Sequence, residues 1–273
     1  YSGEVLRVNN NSLNLSRQAT QIGSEIIGID QNECENEIIS LMIESLRLLK
    51  IKKFFISFTM PTLISAIVKD FKLSKSDLEF VKSKYNNKNS EGLEKISNHL
   101  KTISNVLIDC VGDATLNLKK LRTIKFTKNI KNEIQNFIKI TSRIIKDFPN
   151  LEILIDPLEI DESNYHTGIA FKVFSANLKE LFSGGNYRVS NENCIGFSGF
   201  TESLLMESFI TKSLIKKILI PKYTDTELKK NLQKKGFITF QAIEKLNKKQ
   251  IITEAIKQGC NCYFFDNDIH KVK

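Results

Sequence analysis

The stretch from residue 62 to 148 constrains this chain most. Its apolar residues recur at helical spacing almost throughout, whereas the segments on either side carry strand patterns. Before it, residues 1–8 and 18–29 read as two strands of a long hairpin around the polar connector "NNNSLNLS", with Gly23 and Gly28 punctuating the second arm. A helix is expected from Glu33 to Lys50, where Ile38, Leu41, Met42, Ser45, Leu46 and Leu49 keep helical spacing and acidic residues crowd the first turn. "KKFFISFT" predicts a buried strand, and Pro61 is placed to start the next helix. The block itself divides at polar stretches such as "KYNNKNSEG", and no strand is expected in it.

After the block the strand patterns return. "NLEILIDPLE" is one, and a second starts at Gly168. "LFSGGNYRV" reads as a Gly-Gly turn and a strand, "CIGFSGF" as a short strand, and "TESLLMESFITKSLI" as a helix. The end of the chain alternates: strand "KKILIP", helix "TDTELKKNLQKKG" with Thr or Asp as its cap and Gly236 past its end, strand "FITFQAI", helix "KKQIITEAIKQG", strand "CNCYFF". That order predicts a small α/β layer. The expected division is a core over 1–215, carrying the helical insertion at about 62–148, and a small α/β segment over 216–273.

Composition narrows the class. The chain is 41% hydrophobic and 26% charged, enough apolar material for a full core. Its longest apolar runs, such as Ile56 to Val68, are broken by Ser, Thr and Pro and fall short of a membrane span. No signal-peptide pattern opens the chain, and a cytoplasmic location is expected. The first residue is Tyr1 and leads straight into a strand pattern, which implies a chain lacking its natural start. Five cysteines at scattered spacings (Cys34, Cys110, Cys194, Cys260, Cys262) predict reduced thiols. The lone C-x-C at the end is a weak metal signal, so neither a metal nor a cofactor is expected. The formal net charge of +9 would suit an anionic partner. Lysine is abundant together with Asn and Ile, as A/T-rich codon usage would give, and its clusters lie on helical patterns. Solvated faces account for most of it, and a nucleic-acid partner is not expected.

One segment invites a functional reading. "SNYHTGIAFKVF" places Tyr165, His166, Thr167 and Gly168 at the mouth of a strand in which Ile169, Phe171 and Val173 alternate with Ala170, Lys172 and Phe174. Such a cluster is either a turn with a tyrosine packed over it or the wall of a ligand pocket. His99 and His270 have no partners at metal or catalytic spacing and read as surface residues.

Four pieces in order resemble the histidyl-tRNA synthetase family and its paralogues, over nearly all of residues 1–215. The first hairpin offers Leu6-Arg7, then Arg17-Gln18, Gln21, Gly23 and Glu25. "YYTG-x-x-F" becomes Tyr165, His166, Thr167, Gly168 and Phe171. "GGRY" becomes Gly184, Gly185, Asn186 and Tyr187. The closing glycine-rich strand and helix start becomes Gly196, Phe197, Phe200, Glu202 and Ser203. The resemblance implies a class II aminoacyl-tRNA synthetase-like α+β core, an antiparallel sheet flanked by helices, with a helical insertion and a small C-terminal α/β segment.

The departures bear on activity. The arginine expected at the end of the last motif is Ser203, the one expected before the Tyr-Tyr pair is Asp161, and an acidic adenine contact is Asn9. Forming an adenylate needs cations on the phosphates, so no catalytic residue is assigned. The pattern is similar to a non-catalytic paralogue, the regulatory subunit of ATP phosphoribosyltransferase (HisZ). That resemblance implies activation of a short-form catalytic subunit at the first step of histidine biosynthesis, feedback by free histidine, and a homodimer within a hetero-oligomer. The implied histidine contacts are Arg7, Gln21, Glu25, Tyr165, His166, Gly184 and Gly185. Glu25 could instead be a structural carboxylate paired with Arg17, and Tyr187 either pocket wall or core. Two rivals remain: a divergent histidyl-tRNA synthetase, and a synthetase-like RNA-binding module.

Overall fold

The structure, a computed structural model, describes residues 1–6, 17–28, 34–160, 165–208 and 216–272. It divides into two units, Tyr1–Phe209 and Ile210–Lys273.

In the first unit, β1 (Ser2–Leu6) and β2 (Gln18–Ile27) form the expected antiparallel hairpin. Helix α1 (Cys34–Leu48) follows, with Glu35 and Glu37 in its first turn and Arg47 in its last, as the helix dipole favours. It buries Ile38, Ile39, Met42, Ile43 and Leu46. Leu41, expected on the apolar stripe, is 46% exposed. The helix packs on both α6 (Lys128–Asp147) and the sheet, which moves the buried face toward Ile39 and Ile43.

Strand β3 (Phe54–Thr59) leads into the helical block: α2 (Leu63–Phe71), α3 (Lys75–Asn86), a 3-10 turn (Leu93–Lys95), α4 (Asn98–Ile108), α5 (Ala114–Thr123) and α6. Pro61 sits in the turn before α2, not in its first turn, and Thr62 is the N-cap. The block holds one strand the sequence did not predict, β4 (Gly112–Asp113), which pairs with β5 (Glu152–Asp156). Two residues are too few to show a period. Asp113 then serves as N-cap of α5, accepting from Leu116 N at 2.8 Å.

The remaining strands are β6 (Ala170–Ser175), β7 (Glu180–Val189) and β8 (Glu192–Phe200), closed by α7 (Thr201–Glu207). The sheet order is β1-β2-β8-β7-β6-β3-β5-β4. All pairings are antiparallel except β3 with β5, the two strands that flank the helical block. This is the class II synthetase-like arrangement expected, a large sheet flanked by helices. One local expectation fails. Gly184 and Gly185 form no turn, because both lie inside β7, paired to β6 and β8 on either side. They are glycines for reasons of space, given below.

The second unit is a four-stranded sheet of order β10-β9-β11-β12, built from β9 (Lys216–Ile220), β10 (Phe237–Gln241), β11 (Cys262–Phe265) and β12 (Asp268–Lys271). Ile218 and Ile220 share a core with Leu232 of α8 (Thr226–Lys234), while Leu219 joins Ile251 and Ala255 of α9 (Lys248–Lys257). Adjacent β9 residues thus serve opposite faces, the period of a strand buried on both sides. Strand β12 was not expected. It is short and polar, and it places His270 half-buried, stacked on Tyr263 at 5.2 Å, rather than on the surface.

Candidate functional site

A cavity of about 260 Å³ opens over the middle of the large sheet. Its floor is bare backbone. Gly184 and Gly185 of β7 pair with Phe197 and Gly196 of β8. A Cβ on Gly184 would fall 2.2 Å from the Gly196 carbonyl oxygen, and one on Gly185 would fall 2.6 Å from His166 Cδ2. Side chains there would push the strands and the His166 ring apart.

Glu25 of β2 stands at one wall, opposite Gly196 in the register. Its partner is Tyr187, whose hydroxyl donates to the Glu25 carboxylate. Burial first, and then that hydrogen bond and the Glu25 charge, push the Tyr187 phenol above its ordinary value of 10.0. Tyr187 is 5% exposed, yet it lines the cavity, so it is both core and wall. Tyr165 stacks on it with ring centroids 5.1 Å apart at 15°, and His166 meets Tyr165 edge-on at 5.3 Å. Tyr165 is 55% exposed and forms the rim.

Five of the seven sequence-predicted contacts therefore meet at one place: Glu25, Tyr165, His166, Gly184 and Gly185. Gln21 stands one residue behind the wall. Its Nε2 donates to the Tyr1 hydroxyl at 3.2 Å, and it is Tyr1 that lines the cavity. Tyr1 escaped sequence reasoning because its contact depends on hairpin register: its nitrogen lies 2.8 Å from Gly23 O. Arg7, Asn9 and Asp161 lie outside the described residues. Among the described residues no ion pair joins Glu25 to Arg17, so the structural alternative for Glu25 does not hold in that form.

The charge around the cavity is spare. Its charged lining residues among those described are Glu25 and Lys172, and Lys172 Nζ is held by Glu159 Oε1 at 2.8 Å. Ser203 is buried in the first turn of α7, and the neighbouring Glu202 accepts from Thr20 N at 3.3 Å. Among the described residues, three or more His, Cys, Asp or Glu side chains nowhere gather as a metal site would require.

The sheet, its flanking helices and the glycine-floored cavity make this a class II aminoacyl-tRNA synthetase-like protein. The family model for histidyl-tRNA synthetase matches residues 1–204, and the chain belongs to that family. Within it, similarity runs to regulatory subunits. The ATP phosphoribosyltransferase regulatory subunit of Paramagnetospirillum magneticum is 26% identical over 262 residues, covering 95% of this chain and 68% of the relative. Among solved structures, the ATP phosphoribosyltransferase regulatory subunit/histidyl-tRNA synthetase of Bacillus halodurans superposes with a TM-score of 0.72 at 17% identity, over 96% of this chain and 70% of that one. A chain of the HisG:HisZ ATP phosphoribosyl transferase complex from Thermotoga maritima gives 0.56 at 19% identity, over 73% and 71%. These two likenesses establish the fold.

Proposed function

We propose that this protein is the non-catalytic regulatory subunit of an ATP phosphoribosyltransferase, that it activates a short catalytic subunit, and that it binds free histidine as the feedback signal. The observation that carries the reading is the cavity: one carboxylate and a stacked aromatic wall converge over a glycine floor. A cavity of about 260 Å³ lies just below the usual range of roughly 300–1,000 Å³ for larger ligands and suits a single amino acid. Glu25 accepts the imidazole N–H or the ammonium, the stacked pair of Tyr165 and Tyr187 forms a wall on one side of the ring, and His166 supplies a further donor or acceptor. The names of the relatives and the Thermotoga maritima complex support the partner. Assembly is a homodimer within a hetero-oligomer.

Regulation then follows from linkage. Histidine favours the less active state of the complex, and substrates that favour the active state weaken histidine in return. The test is reconstitution with a short-form catalytic subunit, following phosphoribosyl-ATP with and without histidine. Activation that histidine reverses is expected. A cognate partner that is not activated would refute the reading. Amino-acid-dependent pyrophosphate exchange with ATP would instead establish the rival reading, a divergent synthetase, against the serine at position 203.

A further inference from the structure

On the side of β7 away from the cavity lies a buried carboxylate that ligand binding leaves unused. Successive strand residues face opposite ways, so Asn186, between Gly185 and Tyr187, points to the helix side of the sheet. There its Nδ2 donates to Oε1 of Glu35, in the first turn of α1, at 3.2 Å. Both residues are 3% exposed. The second Glu35 oxygen, Oε2, is buried with no hydrogen-bond partner. A carboxylate out of water with one neutral donor is costly, and such a group calls for an explanation.

The main chain of Asn186 supplies one. Thr167 N donates to Asn186 O at 2.8 Å, and Asn186 N donates to Ile169 O at 2.9 Å. Gly168 lies so close that a Cβ would fall 2.8 Å from Asn186 Oδ1. The segment that carries Tyr165 and His166 is therefore clamped to Asn186, and Asn186 is held from behind by α1.

We propose that Glu35 and Asn186 are a positioning pair: the Glu35 carboxylate holds the Asn186 amide, and through it sets the Thr167–Ile169 turn that aims Tyr165 and His166 at the cavity. Ligand occupancy is transmitted by the same contact to the first turn of α1. The identity of the ligand rests on the function proposed above; the clamp does not.

The test is residue-resolved amide exchange on the whole chain, without ligand and then with histidine. It compares wild type, Glu35→Gln, Glu35→Ala and Val81→Ala, a buried site in α3 that controls for general destabilisation. Glu35→Ala should speed exchange at the Thr167 and Asn186 amides roughly tenfold, beyond any change in Val81→Ala. Glu35→Gln keeps an oxygen acceptor for Asn186 and should restore the wild-type rate. With histidine, the Ile38 and Ile39 amides of α1 should gain protection in wild type and Glu35→Gln but not in Glu35→Ala. Loop exchange in Glu35→Ala no faster than in Val81→Ala would overturn the clamp. Histidine binding that leaves Ile38 and Ile39 unchanged in wild type would overturn the transmission. Wild type that binds no histidine refutes the functional reading alone, since the ligand-free arm still decides the clamp.

Discussion

Glu25 helps to keep Tyr187 protonated. The buried phenol keeps its proton because burial and the neighbouring carboxylate both oppose its loss, and the carboxylate gains a fixed donor. One lone-pair direction of Glu25 is thereby taken, and the rest of the group remains for a cationic or N–H ligand. Glu25→Gln should weaken histidine about 10- to 100-fold by titration calorimetry, the scale of a charge-assisted hydrogen bond of about 1.5–3 kcal/mol. Loss of less than about threefold would remove Glu25 from the site. The floor makes a second prediction. In Gly184→Ala the new methyl meets a backbone oxygen at 2.2 Å, and backbone cannot rotate away. A destabilisation of roughly 1–3 kcal/mol is expected, read as a fall of at least about 2–4 °C in the melting temperature.

Helix α6 owes its start to another element. Its N-cap residue Thr127 makes no side-chain cap of its own. Asp70, near the end of α2, does the work instead, accepting from Asn129 N at 3.1 Å, Asn129 Nδ2 at 2.6 Å, Ile130 N at 3.0 Å and the Thr127 hydroxyl. Burial would raise the Asp70 carboxyl, but the hydrogen bonds from Thr127, Ile130 and Asn129 outweigh it and hold the group below its ordinary 3.8. The sign follows from that direction. A carboxylate lowered in the folded state stabilises fully above about pH 4 and loses its contribution as pH falls through the folded value. Asp70→Ala should cost about 1–2 kcal/mol at pH 7, as loss of an N-cap does, and the gap to wild type in urea melts should close toward pH 3. A gap that persists unchanged at pH 3 would show that packing, not the carboxylate, is responsible.

Across the molecule the charge is uneven. Residues 114–147 hold nine Lys or Arg against two acids, Glu133 and Asp147, within a chain whose net charge is +9, and all nine cations are exposed. The α5–α6 pair is thus a basic region, and it favours the RNA-binding rival. Binding of tRNA through it alone should fall away between about 50 and 200 mM salt in a gel shift. Retention that survives, and that Lys119→Glu with Lys131→Glu abolishes, would establish an RNA role. Much of this molecule was legible in its sequence. Long segments such as α1, α6 and β3 show their period because one face must be apolar, and the glycine, tyrosine and glutamate landmarks keep their spacing along the chain. The sequence by itself thereby determined the element order apart from β4 and β12, and its resemblance to the histidyl-tRNA synthetase family implied the fold class and the five residues that meet at one cavity. Only the tertiary structure decided how segments distant in the chain meet: that Gly184 and Gly185 are a strand's floor and no turn, that Tyr1 rather than Gln21 reaches the cavity, that Asp70 caps a helix 58 residues away, and that Glu35 stands behind Asn186. Each of these depends on strand register or on packing across the sheet, and a local pattern carries no record of which distant backbone will approach it.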